Sequence, residues 1–199
     1  MSKYTIDLKD LRLTDIEKVG GKSASLGEMI QSLSGVGVNI PGGFAVTVQA
    51  YRDFLASNNL EDKIRELIEA CVVDDLVQLR QTGTQIREMI RQCEFPEDMR
   101  AEIKVAYEEL SQRYGQEITD VAVRSSATAE DLPDASFAGQ QETFLNVRGW
   151  KGVLTATRNC FASLFTDRAI SYRTTFNYDH FDVGLSACVQ KMARSDLGA

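Results

Sequence analysis

The sequence is poor in the residues from which metal centres and disulfide frameworks are built. Its 199 residues include one histidine, His180, and four cysteines, Cys71, Cys93, Cys160 and Cys188. The cysteines are widely and irregularly spaced without a CxxC pair, and no His, Cys, Asp and Glu residues have the spacing of metal ligands. We therefore expect no dedicated metal cage and free thiols in a reducing cytosol, which predicts a cytoplasmic protein.

Long apolar runs and an excess of positive charge are also absent. No stretch approaches the ~18 consecutive apolar residues of a membrane-spanning helix, and the N-terminus lacks the apolar centre of a signal peptide. The formal net charge is −7, whereas nucleic-acid and anionic-membrane partners require clustered cations. We expect neither partner, although a local cationic pocket for a small phosphate ligand remains compatible with this charge.

Hydrophobic periodicity predicts an α+β fold of mixed helices and short strands. Near the N-terminus we expect a helix from Lys22 to about Ser32, a buried strand at 44–46 and a helix capped by Thr47. A scaffold layer of two or three amphipathic helices follows over about 60–115. The remaining predicted elements are strands at 121–124, 142–147 and 185–192 and a helix over 150–173.

The first candidate ligand-binding segment has the sequence VGGKSASLG at residues 19–27. Paired glycines let backbone N–H groups approach a phosphate, and the following helix directs its positive end to the same place. Lys22 adds a full charge at the first turn. A Walker A loop would require glycine where Ile16 stands, so this is not a P-loop. The alternative interpretation is an ordinary helix start.

The second candidate is Arg124, which ends the predicted strand at 121–124 and opens a hydroxyl-rich loop. A guanidinium group there presents a planar fork to phosphate oxygens. The alternative is a structural arginine that pairs with Glu130 or Asp131.

Two further segments have features of a nucleotide site. Residues 134–143 are rich in small side chains around Gly139 and suit a loop that folds over a polyphosphate. The strand at 187–192 contains Gln190 and Met192, which suit the edge and the face of an adenine ring. The alternatives are an ordinary β-connection and a core strand. His180 lies in an acidic, aromatic turn, for which we expect a structural or solvent-facing role.

Taken together and in this order, these segments resemble the N-terminal region of the phosphoenolpyruvate synthase family. The resemblance covers nearly the whole chain and rests on five motifs: VGGKSASLGEM at 19–29, VAVRSSATAED at 121–131, ASFAGQQET at 135–143, FASLFTDRAISYR at 161–173 and VQKM at 189–192. It implies that residues 1–199 form the first half of an ATP-grasp nucleotide-binding domain, with the 60–115 segment as a helical subdomain.

The resemblance also implies site residues and a reaction. Lys22 and Arg124 match phosphate-binding positions, Gly139 and Thr143 match the loop that covers the phosphates, and Gln190 matches an adenine-side position. The family converts ATP, pyruvate and water to AMP, phosphoenolpyruvate and phosphate through a phosphohistidine on a swivelling domain. The expected ligands are therefore ATP and Mg²⁺, with pyruvate bound elsewhere in the enzyme.

Family members continue beyond the position matched by residue 199. The resemblance implies that this continuation holds the magnesium ligands, another arginine, the phosphohistidine and the pyruvate-binding barrel, and a homodimer of the full enzyme is a further expectation. We therefore expect the 199-residue chain to bind ATP weakly and to make no phosphoenolpyruvate.

Pyruvate, phosphate dikinase and rifampin phosphotransferase share this nucleotide domain and are alternatives. A third alternative, of another class, is a non-catalytic interaction module that uses the helices of 60–115. The nucleotide hypothesis predicts that Lys22 and Arg124 lie close together across a cleft, which the interaction module does not require. It also predicts that loop 130–140 is less ordered than the core strands.

Overall fold

A five-stranded antiparallel sheet forms the centre of the protein. The structure is a computed structural model that describes residues 2–35, 37–128, 131–132, 135–136 and 142–193. The strands are β1 (Thr5–Asp7), β2 (Gly43–Val46), β3 (Asp120–Ala127), the short pair β4 (Asp131–Leu132) and β5 (Ala135–Ser136), β6 (Thr143–Arg148) and β7 (Leu185–Lys191). The main sheet has the order β1-β2-β7-β3-β6, and β4 pairs only with β5.

Seven α-helices accompany the sheet in the described residues. They are α1 (Ile16–Ser34), α2 (Val48–Ser57), α3 (Leu60–Glu69), α4 (Leu76–Gln92), α5 (Glu97–Arg113), α6 (Gly149–Ser163) and α7 (Asp167–Thr175), and two short 3₁₀ turns, Leu8–Asp10 and Leu13–Asp15, precede α1. The mixture of helices and one antiparallel sheet confirms the predicted α+β class. The layer of two or three helices expected over 60–115 consists of three, α3, α4 and α5.

Alternation along the strands creates two unlike faces. We call the face that carries Ala45 and Cys188 the front face; both side chains join a small apolar cluster that contains Val19 and Ala24 of α1. Their neighbours in sequence point the other way, because successive side chains of a strand alternate. On this back face, Val123, Val189 and other strand residues join the main core, to which α2–α6 and α7 contribute.

The back-face core contains an aromatic cluster at its centre. Phe161 of α6 contacts the rings of Tyr51, Phe54 and Phe95, with centroid distances of 5.2, 5.5 and 6.1 Å. Aromatic rings bury a large apolar area each and dominate the energetics of a core. The back face therefore supplies most of the packing that stabilises the sheet.

Several boundaries predicted from periodicity are wrong. Helix α1 extends from Ile16 but is interrupted at the non-helical Gly20, so the helix expected from Lys22 corresponds to its second part, and the turn before Gly20 was not predicted. The expected helix over 150–173 is two helices, because Thr166 caps a new helix by accepting a hydrogen bond from Ala169 N. Strand β3 continues to Ala127, so Arg124 lies within the strand and does not end it. The prediction also missed strand β1.

The first residue of α4 does not reach the core. Helical spacing groups Leu76 with Leu79, Ile86 and Ile90 on one apolar stripe, but the Leu76 side chain is 77% exposed, whereas the other three are buried. Leu76 is the first residue of α4, at the point where the helix emerges from a turn capped by Asp75. Helical spacing predicts which residues share a face, but it does not say at which turn the face meets the core.

Candidate functional site

The candidate site begins where the kink of α1 meets strand β3. Gly20 has φ +73°, and a Cβ atom there would lie 2.4 Å from Ser126 Oγ and 2.5 Å from the Ser126 carbonyl oxygen. Ser23 N donates a hydrogen bond to Ser126 Oγ over 3.2 Å. The left-handed backbone and the absence of a side chain both favour glycine here. This contact fixes the start of the second part of α1, with Lys22 in its first turn, against the sheet.

The strand register places three of the predicted residues on one face. Arg124 in β3 pairs with Thr143 in β6 and with Cys188 in β7. Gln190 in β7 pairs with Ala122, two residues before Arg124. Directly paired residues, and residues two apart in a strand, have side chains on the same face of a sheet. Arg124, Thr143 and Gln190 therefore share the front face, the face that α1 covers in part.

The side chains of this group remain accessible to a ligand. Lys22, Arg124 and Thr143 are exposed, and Gln190 is half-buried. Lys22 and Arg124 are both cations, and both flank the Ser126 contact between α1 and β3. The strand pairing places Arg124, Thr143 and Gln190 on the front face, and Ser23, the residue after Lys22, contacts Ser126 of the same strand. A guanidinium, a hydroxyl and an amide on one face are suitable donors for an anionic ligand.

Gln190 is held in position by the loop before β2. Its Nε2 donates a hydrogen bond to Pro41 O over 2.9 Å, and Lys191 N donates to Gly42 O over 2.9 Å. One of the two amide N–H donors is thus engaged, while the second donor and the carbonyl oxygen, an acceptor, stay available to a ligand. Pro41 is a residue that the sequence analysis did not identify, since its contribution is a backbone oxygen.

The start of β6 is anchored to β3 through Ser125. Ser125 N donates to Glu142 O over 3.1 Å, and Glu142 N donates to Ser125 Oγ over 3.1 Å. These bonds hold the backbone immediately before Thr143. The hydroxyl-rich segment after Arg124, predicted to be a loop, is therefore part of strand β3. Ser125 holds the backbone before β6, and Ser126 holds the second part of α1.

Cys188 lies beneath the polar group and is not a reactive thiol. Burial raises its pKa to about 11, while the nearby Ser23 side chain and the Arg124 charge act in the opposite direction. A thiol with a raised pKa is protonated near neutral pH and is a poor nucleophile. Its position next to both Ser23 and Arg124 shows that the second part of α1 and the middle of β3 lie close together.

One predicted residue falls outside the described part of the chain. Gly139 and most of the 130–140 segment are not among the described residues, so the expectations about the loop that covers the phosphates stay predictions. The strand alternation that groups Arg124 with Ser126 and Gln190 with Cys188 was present in the sequence. A strand that ends at Arg124 conceals this grouping, because its alternation stops before Ser126.

His180 is on the other side of the molecule, in the cleft between α3 and α7. Its Nδ1 accepts a hydrogen bond from Arg173 Nε over 3.0 Å, and since a guanidinium only donates, the ring is neutral with its proton on Nε2. Burial first, and then the charge of Arg173, lower its pKa to about 4. The ring is thus a structural acceptor for Arg173, in agreement with the role expected from its sequence context.

All four cysteines are free thiols, two of them buried and two partly exposed. In the described residues, no group of three or more His, Cys, Asp and Glu side chains could hold a metal ion. The same part of the chain contains no helix with the length and hydropathy needed to cross a membrane.

Comparison with known proteins identifies relatives over the whole chain. The family model described as "Pyruvate phosphate dikinase, AMP/ATP-binding domain" matches residues 16–199. Phosphoenolpyruvate synthase of Aquifex aeolicus is 58% identical over 192 residues, which are 96% of this chain and 22% of that protein.

Two further relatives carry the same name. Phosphoenolpyruvate synthase of Pseudomonas aeruginosa is 54% identical over 198 residues, which are 100% of this chain and 25% of that protein. The enzyme of Escherichia coli K12 is 53% identical over 189 residues, which are 95% and 24%. The chain therefore spans about a quarter of the length of the curated relatives that it matches.

Proposed function

The chain belongs to the family of pyruvate phosphate dikinase AMP/ATP-binding domains, and we propose that it forms one side of the ATP site of a phosphoenolpyruvate synthase. The observation that carries this proposal is the shared front face of Arg124, Thr143 and Gln190, beside the turn of α1 that follows the Gly20 kink and contains Lys22. Residues that are far apart in sequence thereby offer complementary groups to one ligand.

The proposed roles follow from the chemistry of each group. Lys22 and Arg124 bind phosphate oxygens, because charge-assisted hydrogen bonds are the strong contacts to such anions. The Thr143 hydroxyl donates a hydrogen bond to a phosphate oxygen, and Gly139 belongs to the loop that closes over the phosphates. Gln190 lies at the adenine end, where its Oε1 accepts a hydrogen bond from the 6-amino group while Nε2 stays on Pro41.

Magnesium enters this proposal with the nucleotide. The described residues provide no metal cage, and Mg²⁺ commonly binds through phosphates and one or two carboxylates. We propose that those carboxylates come from outside residues 1–199, as the resemblance implies. When bound, the ion neutralises charge on the phosphates; Lys22 and Arg124 add positive charge from the front face of the sheet.

The whole reaction is a proposal that extends beyond the chain. We propose that the intact enzyme converts ATP, pyruvate and water to AMP, phosphoenolpyruvate and phosphate, with pyruvate bound outside the chain. The names of the relatives quoted above favour a synthase over pyruvate, phosphate dikinase or rifampin phosphotransferase. The position of Lys22 and Arg124 on the same side of the sheet argues against a purely helical interaction module.

The fold supports a finer assignment that we also propose. The antiparallel sheet with α1 on its front face would be the first half of an ATP-grasp domain, and α3–α5 its helical subdomain. Phosphoryl transfer depends on positioning and on cations around the transferred group. One side of such a clamp binds nucleotide but does not complete the reaction.

Calorimetric titration with Mg-ATP tests the site. We expect Arg124→Ala and Lys22→Met each to weaken binding by about 10- to 100-fold, since a charge-assisted hydrogen bond contributes about 1.5–3 kcal/mol. Lys63→Met, which removes an exposed cation from α3 on the back face, is the matched control and should leave affinity within about twofold. Equal losses in all three variants would mean that only net charge matters and would contradict the site.

A turnover assay tests whether residues 1–199 can catalyse the reaction without the rest of the enzyme. Incubated with Mg-ATP and pyruvate, residues 1–199 should form neither AMP nor phosphoenolpyruvate, and a γ- or β-phosphate label should not appear on His180. Their affinity for ATP should be much lower than that of the full-length enzyme. Turnover by the 199-residue chain, or an equal affinity, would show that it already holds a complete site.

A further inference from the structure

A second polar cleft lies on the back face, at the edge of the sheet. It has a volume of about 620 Å³ and is formed by α4, α6, the start of α7 and the start of β6. Phe144 lines it from β6, and its strand partner Val123 belongs to the back-face core. The cleft is therefore separated by the sheet from Arg124 and Thr143, and the proposed ATP site does not use it.

The cleft contains more positive than negative charge. Three arginines line it, Arg87, Arg91 and Arg168, together with two carboxylates, Glu142 and Asp167. Asp167 is already neutralised, because its Oδ1 accepts a hydrogen bond from Arg87 over 2.9 Å. Arg91, Arg168 and Glu142 remain, so the cleft has one more positive than negative charge.

Neither of these two arginines is matched to a carboxylate in the described part of the chain. Arg91 Nε donates to the neutral Asn159 Oδ1 over 3.2 Å, which leaves its terminal nitrogens for another acceptor. Arg168 is exposed at the cleft and forms no ion pair or hydrogen bond with the described residues. A guanidinium group binds phosphate through two parallel N–H donors, and each of these two arginines has such donors available.

The geometry of the cleft is built by close helix packing rather than by chance exposure. A Cβ atom on Gly83 of α4 would lie 2.5 Å from Asp167 Oδ1 and 2.8 Å from Arg87 Nη1. The glycine thus allows the start of α7 to approach α4 and form the Arg87–Asp167 pair. The pair fixes one wall, the hydroxyls of Ser163 and Thr166 add polar groups, and Phe144 supplies an apolar surface.

We propose that this cleft is a second anion site, which binds a small phosphate-bearing ligand through Arg91 and Arg168. Its volume lies within the roughly 300–1,000 Å³ of small-molecule sites. Glu142 and Phe144 line the cleft, while Thr143 between them belongs to the front face. A ligand in the cleft would therefore touch the back of the strand that carries Thr143 on its front.

Amide chemical-shift mapping of the 199-residue chain tests the proposal without reference to ATP. Inorganic phosphate and glycerol 2-phosphate are titrated separately at constant ionic strength, to distinguish the free ion from an organic phosphate. We expect saturable shifts at Ser163, Thr166 to Arg168, Glu142 and Phe144 with at least one of them. Shifts confined to the front face around Lys22 and Arg124, or no saturable shift, would overturn the proposal.

Charge-matched variants sharpen this test. Arg91→Gln combined with Arg168→Gln should weaken binding at least tenfold. Lys63→Gln combined with Arg100→Gln removes the same charge from α3 and α5 outside the cleft and should change it less than twofold. An equal loss in both double variants would overturn the site in favour of general charge attraction. Arg124→Ala should leave cleft binding intact, so that failure of the ATP site and failure of this proposal are distinguishable.

Discussion

The two faces of the sheet differ in how they use the same strands. On the back face, six helices bury alternate residues of β3 and β7 in one aromatic and aliphatic core. On the front face, one helix covers part of the sheet, and the next residues along the same strands, Arg124 and Gln190, remain accessible. The residues that form the core and the residues of the proposed ligand site thus lie on opposite faces of the same strands, one residue apart in sequence.

The difference predicts that variants on the two faces have different consequences. Back-face substitutions should lower the free energy of unfolding and leave the affinity of the folded molecules unchanged. Front-face substitutions of exposed residues should do the reverse. Contacts that join the two layers should affect both.

The largest effect is expected for Phe161→Ala in the back-face core. Phe161 is fully buried and contacts three aromatic rings. Its truncation should lower the free energy of unfolding by about 3–5 kcal/mol, because transfer and cavity terms add. Chemical denaturation measures this, with Val105→Ala, an exposed α5 residue, as the control. Loss of less than about 1 kcal/mol would mean that the core does not depend on this cluster.

Gly20→Ala should weaken both the contact between α1 and strand β3 and the binding of Mg-ATP. The added Cβ would meet Ser126 Oγ at 2.4 Å, and φ +73° is strained for alanine. We expect a loss of about 2–3 kcal/mol in stability and a fall in Mg-ATP affinity, since the second part of α1, which contains Lys22, must shift. Gly35→Ala is the control, because nothing lies within 4 Å of its Cβ and its φ is negative. Similar behaviour of both variants would contradict the role of the Gly20 contact.

Glu102→Gln tests how the back-face helices hold the first strand. Glu102 Oε1 in α5 accepts hydrogen bonds from Tyr4 N, Thr5 N and Thr5 Oγ1 at 2.7, 2.6 and 3.0 Å. Removing the negative charge weakens these bonds, so we expect about 1–2 kcal/mol of destabilisation. Glu108→Gln, in an exposed pair with Lys104, should stay within about 0.5 kcal/mol. Amide exchange at β1 would locate the change.

The smallest effect concerns pH and His180. Its pKa is about 4 in the folded chain and 6.5 as the reference value for the unfolded chain, so between these values the unfolded chain binds the additional proton. The stabilisation is therefore complete above about pH 6.5 and is lost as the pH falls toward 4. His180→Gln keeps an acceptor for Arg173 and cannot titrate.

The measurement compares the pH dependence of unfolding for the two proteins. Because the ring is only half-buried, the difference in unfolding free energy between the two proteins should change by about 1 kcal/mol over this window. Identical profiles would mean that His180 is free to take up its proton in the folded state.

Much of the secondary structure was predictable because its signals are local. Thr47 caps α2 as expected, accepting a hydrogen bond from Ala50 N over 3.2 Å, and the three amphipathic helices of 60–115 are present. The errors occurred where a long-range contact decided the outcome. Strand β1 exists through its pairing with β2 and its bonds to Glu102, and β3 continues past Arg124 because β7 pairs with it as far as Ala127.

The sequence by itself determined the residue types of the candidate site and the family that they resemble. Glycine pairs, cations and small residues in order along the chain are local chemistry, which needs no coordinates to be recognised. Only the tertiary structure decided that Arg124, Thr143 and Gln190 share a face and that the second part of α1 is held against Ser126. Strand register has a period of two, so a shift of one residue would move each of these side chains to the opposite face. That register is fixed by pairing between segments far apart in the chain and by the core that forms behind them.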